Sequence, residues 1–239
     1  MAKPHDVLYK APFKVERGFF YNLNAQPNLI FHHTMNRLLL LITLTFVALT
    51  TKAQQVDTLI RMAAYKSYYS YQVKSPLYVT YTLSKGGGDC NRAKFSFKKC
   101  GIKTADDDDY SETGYDKGHL ANAEDFAYNC SLDKETFCYY NCVPQTTKLN
   151  RGIWKTWETK VRKLSQSKPV FVIAGAIYTN KLLKKGHSVV TPDYCYKIIV
   201  DPPTGNIIHC LLFPNDNSGR VEALSLTALK AKLKYPLVP

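Results

Sequence analysis

The chain reads as a mixed α+β domain built on a sheet, and three features predict it. Runs of β-branched and aromatic residues recur at 76–83, 137–142, 169–174, 194–200 and 206–213, separated by Gly, Pro, Asp and Asn clusters. Helical spacing occupies 149–164, and a shorter helix is expected over 225–233. No internal repeat or low-complexity linker divides the chain.

Composition agrees with a folded domain. The 239 residues are 45% hydrophobic and 21% charged, which argues against disorder, collagen-like repeats and a multi-span membrane protein. Lys and Arg outnumber Asp and Glu by 32 to 19, a net charge of +13, so the surface carries a field that attracts polyanions.

Taken in chain order, the first element is a targeting segment. Met35-Asn36-Arg37 supplies a positive start, residues 38–49 form a twelve-residue apolar run, and Thr51-x-Ala53 offers small residues where a signal peptidase cuts. The run is short of the about 20 apolar residues a membrane span needs. Residues 35–53 are therefore expected to be a signal peptide, and 1–34 an upstream extension or mis-assigned start, with translation beginning at Met35. The remaining 54–239 form one expected domain of 186 residues with 26 basic and 17 acidic side chains, a net charge of +9. Export to the periplasm or the medium follows, with no stable membrane insertion after cleavage.

All seven cysteines lie in that domain, in a compartment that permits disulfides. Cys90 and Cys100 bracket a short polar stretch, and Cys195 and Cys210 flank the turn at 201–205, so both pairs are candidates; connectivity stays open, and at least one thiol must be left over. A zinc site on Cys138-x3-Cys142 lacks a second ligand pair. The tyrosine-rich run 65–71 fits a strand better than a base-stacking platform, for want of an evident basic groove. Asp106 to Asp109 fit a solvated loop better than a calcium loop, because four adjacent carboxylates lack the ordered spacing.

The helix at 149–164 carries two stripes. Ile153, Trp157, Val161 and Leu164 form an apolar one, expected to face the core. Beside it Asn150, Trp154, Glu158 and Arg162 recur every four residues. Alone, Glu158 and Arg162 would pass for a surface ion pair worth a few tenths of a kcal/mol. The segments upstream change that reading: Asp116-Lys117-Gly118-His119, then Asn141-x2-Pro144-Gln145 leading into Asn150-x3-Trp154-x3-Glu158-x3-Arg162.

This pattern resembles the DNA/RNA non-specific endonucleases, whose signature is D-R-G-H followed by N-x2-P-Q-x4-N-x3-W-x3-E, and the resemblance runs from about Pro76 to Asn215. It implies a ββα-metal (His-Me finger) fold, with a central, mainly antiparallel sheet and flanking helices. It implies a metal-dependent hydrolase of DNA and RNA phosphodiesters with little sequence preference, leaving 5′-phosphate ends. His119 becomes the general base and Asn150 the one protein ligand of Mg²⁺, with Mn²⁺ the alternative ion. These types suit the chemistry: neutral imidazole takes a proton near pH 7, and Mg²⁺ keeps most of its waters, so one amide suffices. The same resemblance assigns Glu158 to metal-bound water, Arg162 to a phosphate oxygen, Asn141 to a supporting place on the motif's second strand, and Asp116 to orienting the turn. Trp154 and Gln145 are read as packing and local hydrogen bonding.

Two departures stand out. Lys117 replaces the usual arginine and loses the planar fork that grips phosphate, which implies weaker substrate or transition-state binding. Ala174-Gly175-Ala176 replaces a T-G-P-like turn. Lys181, Lys184 and Lys185 are candidates for backbone contacts, though a solvated lysine loop is the commoner use of such a run; His187 and His209 receive no role. Two other classes compete: a catalytically silent nucleic-acid-binding protein of the same fold, and a cysteine hydrolase, which lacks a recognisable nucleophile motif. Oligomeric state is not legible. Mass spectrometry of the exported product is expected to find an N-terminus near Gln54; peptides from residues 1–34 in the mature protein would refute the processing scheme.

Overall fold

The computed structural model describes residues 53–237; the expected upstream extension and all of the expected signal peptide except Ala53 lie outside them. Strands β1 (Thr58–Arg61), β2 (Lys66–Ser70) and β3 (Ser75–Leu83) form an antiparallel meander. After a long loop come the short helix α1 (Asp107–Tyr110), strand β4 (Tyr115–His119) and helix α2 (Cys130–Glu135). Strand β5 (Cys142–Thr146) leads into helix α3 (Lys155–Leu164). Strands β6 (Val170–Leu182), β7 (Val190–Val200), β8 (Ile207–Pro214) and β9 (Glu222–Ala223) follow, and helix α4 (Leu226–Lys232) comes last. The main sheet runs β1-β2-β3-β6-β7-β8-β9, antiparallel throughout, while β4 and β5 pair only with each other. This is the α+β architecture expected, with the hairpin β4–β5 and helix α3 as its ββα unit.

Alternation along β7 assigns the faces of the sheet. Cys195 and Lys197 turn toward the ββα unit, where they meet Gln145 and Trp154. Tyr196 turns the other way, to Tyr235, whose hydroxyl donates to the carbonyls of Leu77 and Ala176. Both faces are covered, so β3 is buried at nearly every position and shows no polar alternation.

Several expectations need correction. The strand read at 137–142 is displaced: Tyr139–Asn141 form a 3-10 turn, and the strand begins at Cys142. Asn141 therefore precedes the motif's second strand and does not lie on it. The helix read over 149–164 is regular only from Lys155; Leu149–Trp154 form a wider π-type turn interrupted at Gly152. Its apolar stripe does face the core, with Val161 buried and Ile153, Trp157 and Leu164 packed against it, but the mixed stripe is buried as well at Trp154 and Glu158.

Asp106 to Asp109 are not a solvated loop. Asp106 caps α1 by accepting from the amides of Asp108 and Asp109, and buried Asp109 meets Lys74 Nζ at 3.1 Å and His187 Nδ1 at 2.8 Å. The tyrosine run does lie on a strand, β2, inside the sheet.

Neither candidate cysteine pair forms. The bridges are Cys90–Cys130 and Cys100–Cys138, leaving Cys142, Cys195 and Cys210 free and buried. Cys195 lies opposite Phe213 and Cys210 opposite Ile198; positions 195 and 198 differ by three, so the two thiols lie on opposite faces of the sheet. Each bridge spans about 40 residues. On the chain-entropy model, opening either one by a Cys→Ser pair is expected to cost about 4 kcal/mol in denaturant unfolding. Alkylation of the unreduced, denatured protein should label three cysteines, and seven after reduction.

Candidate active site

The hairpin aims the D-K-G-H segment in two directions. Asp116 pairs with Gln145 across the ladder, and Lys117 with Pro144. Gly118 is required here, because a Cβ would strike the Gln145 side chain, whose amide continues to Cys195 Sγ at 3.3 Å. Asp116 reaches the turn before α3. Its carboxylate accepts from Asn150 Nδ2 at 3.0 Å and, in bidentate fashion, from Arg151 at 2.8 and 2.7 Å. Burial pushes the Asp116 carboxyl up, but the Arg151 and Asn150 hydrogen bonds outweigh it and hold it below the usual range. With Nδ2 committed, the Asn150 amide keeps its Oδ1 for a ligand.

Asn150, Glu158 and Arg162 line one cleft of about 540 Å³. Arg92, Arg151 and Lys155 add cationic wall; Asn122 and Glu124 complete it. Glu158 and Arg162 are not the surface pair their spacing suggests. Arg162 Nη1 donates to Asp125 at 2.8 Å and Asn122 at 3.1 Å, and buried Asp125 also accepts from Tyr81 OH at 2.9 Å. Glu158, 6% exposed, lies 3.9 Å from Lys197 Nζ. Lys197 is 1% exposed, with its ammonium 3.7 Å from the centre of the Trp154 ring. Burial pushes the Glu158 carboxyl up to about 7 against the opposing charge of Lys197.

His119 is not among the residues lining the cleft. Its ring packs against Phe97, 4.6 Å between centroids, and edge-on to Phe137 at 4.8 Å, while its carbonyl accepts from Trp154 Nε1 at 3.2 Å. The residue as a whole is partly exposed, but Nε2 is closed from solvent and has no partner. Burial, helped by the charge of Arg92, pushes its pKa down to about 3, so the imidazole is neutral at physiological pH. Fully buried Asn141 braces the backbone just beyond it, accepting from the Ala121 amide at 2.8 Å and donating to the carbonyls of Ala121 and Thr136.

Lys117 turns away from the cleft, onto Asp107 and the Tyr139 ring. Lys181 and Lys184 bond Tyr115 OH and the Asp108 carbonyl. Arg92, Asn122, Lys155, Asp125 and Lys197 belong to the cleft or its support and were not legible as such. Lys155 falls between two motif positions and the others lie outside the motif, so only the +13 charge hinted at cationic walls.

The family model for DNA/RNA non-specific endonucleases matches residues 43–234. The chain belongs to that family. Among relatives of this endonuclease-family chain, bovine mitochondrial endonuclease G is 26% identical over 182 residues, 69% of this chain and 61% of its own. A nuclease from Nostoc sp. is 36% identical over 141 residues, 53% of this chain and 51% of its own. The chain thus spans about half to six tenths of these relatives' lengths. A chain in the crystal structure of the EndoG/EndoGI complex superposes with a TM-score of 0.66 at 24% identity, covering 75% of this chain and 84% of that one. The ββα-metal nuclease fold is common to both.

The residues fit the family's metal. Asn150 offers a fixed amide oxygen with carboxylates of Glu158 and Glu124 along the same cleft, an all-oxygen set suited to Mg²⁺ or Mn²⁺ that retains its water. Among the described residues no trio of His, Cys, Asp or Glu is grouped to hold a metal by itself.

Glu158 sets a pH dependence. Its pKa rises on folding from 4.5 to about 7, so the folded state holds the proton longer and loses stability as pH rises through that window. Asp125 and Asp133 act in the same direction and His119 oppositely, so the comparison must isolate Glu158. Relative to Glu158→Gln, wild-type stability should fall between about pH 4.5 and 7, read as a Tm series; parallel curves would refute a carboxyl raised by burial.

Proposed function

We propose that this chain is an exported, metal-dependent nuclease that hydrolyses phosphodiester bonds of DNA and RNA without strong sequence specificity, giving 5′-phosphate ends. The observation that carries the reading is Asn150: its amide is pinned by Asp116, leaving its oxygen beside Glu158 in a cleft walled by Arg92, Arg151, Lys155 and Arg162. Cationic walls bind phosphate whatever the base, which gives affinity without sequence information.

Asn150 would hold the divalent ion, and Glu158 would order its water. When bound, the ion supplies positive charge to offset what builds on the phosphoryl and leaving oxygens. Arg162, held by Asp125 and Asn122, presents its guanidinium to a phosphate oxygen. His119 is the acceptor for the proton of the attacking water: the imidazole is neutral and Nε2 has no competing donor. That step requires Nε2 to be opened to water. Lys117, paired with Asp107 and turned from the cleft, offers no direct clamp.

Two disulfides suit an oxidising compartment and support export. No helix among the described residues is long and apolar enough to cross a membrane. A cysteine hydrolase is disfavoured because burial pushes the Cys142 and Cys195 thiols up to about 12, leaving no thiolate. The silent nucleic-acid-binding alternative draws on one observation, the closed Nε2 of His119.

Incubation with plasmid or RNA separates the readings. Cleavage is expected with Mg²⁺ and not with EDTA, and His119→Ala should lower kcat about 10²- to 10⁴-fold. Cleavage in EDTA, or a variant at wild-type rate, overturns the mechanism; binding without cleavage by the wild type favours the silent module.

A further inference from the structure

Beside the cleft lies a second, more open groove of about 850 Å³. Arg151 lines both, so its side chain is the ridge between them. Beyond that ridge the lining includes Thr147, Lys148, Thr156 and Asn217, with no carboxylate. Lys148 lines the groove, Arg151 lines both and Lys155 lines the cleft, which sets a line of cations from one to the other across the irregular turn at 149–154.

Lys74, Lys99, Lys117, Lys168, Lys184 and Lys197 are held in ion pairs. Most other described lysines are not, and Lys148 is set apart from them by its place in a groove that adjoins the cleft. Lys148 has no ion pair or side-chain hydrogen bond among the described residues, and Lys155 has no ion pair. The Asn217 amide also lacks a hydrogen bond there, though Asp216 and Ser218 on either side are engaged. Lys148 is exposed, with its methylenes passing near Gly219 across the groove. An uncompensated cation over a carboxylate-free groove, continuous with a phosphate-binding cleft, calls for a polyanion that extends past the reacting bond.

We propose that this groove is a subsite for the sugar–phosphate backbone of the substrate strand flanking the scissile bond, with Lys148 contacting one phosphate and Arg151 dividing it from the bond in the cleft. The proposal rests on the nuclease reading for its substrate class. It adds a length requirement: an oligonucleotide must reach beyond Arg151 to gain the Lys148 contact.

Binding tests this separately from cleavage. Fluorescent single-stranded 4-mers and 20-mers are titrated in EDTA, between 50 and 200 mM salt, with the wild type, Lys148→Glu, and Lys66→Glu. The last is a charge-matched control on β2, distant in the sheet order from the strands bordering the groove. Lys148→Glu should weaken 20-mer binding about tenfold and reduce the slope of log affinity against log salt by about 0.7, the value for one phosphate contact on a single strand. The 4-mer should respond less, and Lys66→Glu should stay within about twofold of wild type, well inside a single contact's worth. Equal losses in the two variants, equal losses for both lengths, or an unchanged 20-mer would each overturn the subsite. Failure of the plasmid assay with normal length-dependent binding would strike the nuclease reading alone.

Discussion

The Trp154 indole is the joint on which the site depends. Its Nε1–H holds the carbonyl of His119, its ring meets Phe213 edge-on at 5.2 Å, and the Lys197 ammonium sits on its face. Hairpin, helix and sheet are thus fixed to one rigid, fully buried group. An indole can do this because it joins a large apolar body to a single donor that must find a partner when buried. With Trp154 placed, Glu158 one turn later must face the cleft, while Asn150, across the break at Gly152, is held there by Asp116.

That joint explains why Glu158, one turn along the stripe that carries Trp154, is buried. The Lys197–Glu158 pair is separated by 3.9 Å, too long for a direct hydrogen bond, so it repays little of the desolvation of two charges. Glu158 is consequently held near its point of protonation, close to neutral pH. The arrangement weakens the fold and leaves a carboxylate whose charge answers to whatever enters the cleft.

Much of the fold was legible in the sequence because most strands are continuous β-branched and aromatic runs, and the motif spacing fixed the order of Asp116, His119, Asn150 and Glu158. Failures arose where partners are distant in sequence. Helical periodicity placed the apolar stripe against the core correctly, but it cannot show that Lys197 and Asp125 will receive Glu158 and Arg162. The strand around residue 142 was set too early: Tyr139 and Tyr140 look like strand residues, while Pro144 and Gln145, which lie on it, do not. The tetra-aspartate segment looked solvated because its compensating groups, Lys74 and His187, come from a turn and a loop on either side of it in the chain. Cysteine pairing followed the folded path of the chain and ignored proximity in sequence.

Both disulfides fasten the same stretch. Cys90 and Cys100 bracket a segment without long regular structure that carries Arg92 to the cleft and Phe97 to the His119 ring. One side of the cleft is therefore held by sulfur bonds where the other is held by a helix. Reducing the two bridges therefore loosens the wall that carries Arg92 and Phe97, while the helix that carries Glu158 and Arg162 keeps its own hydrogen bonds, so the cleft depends on thiol chemistry along one edge alone.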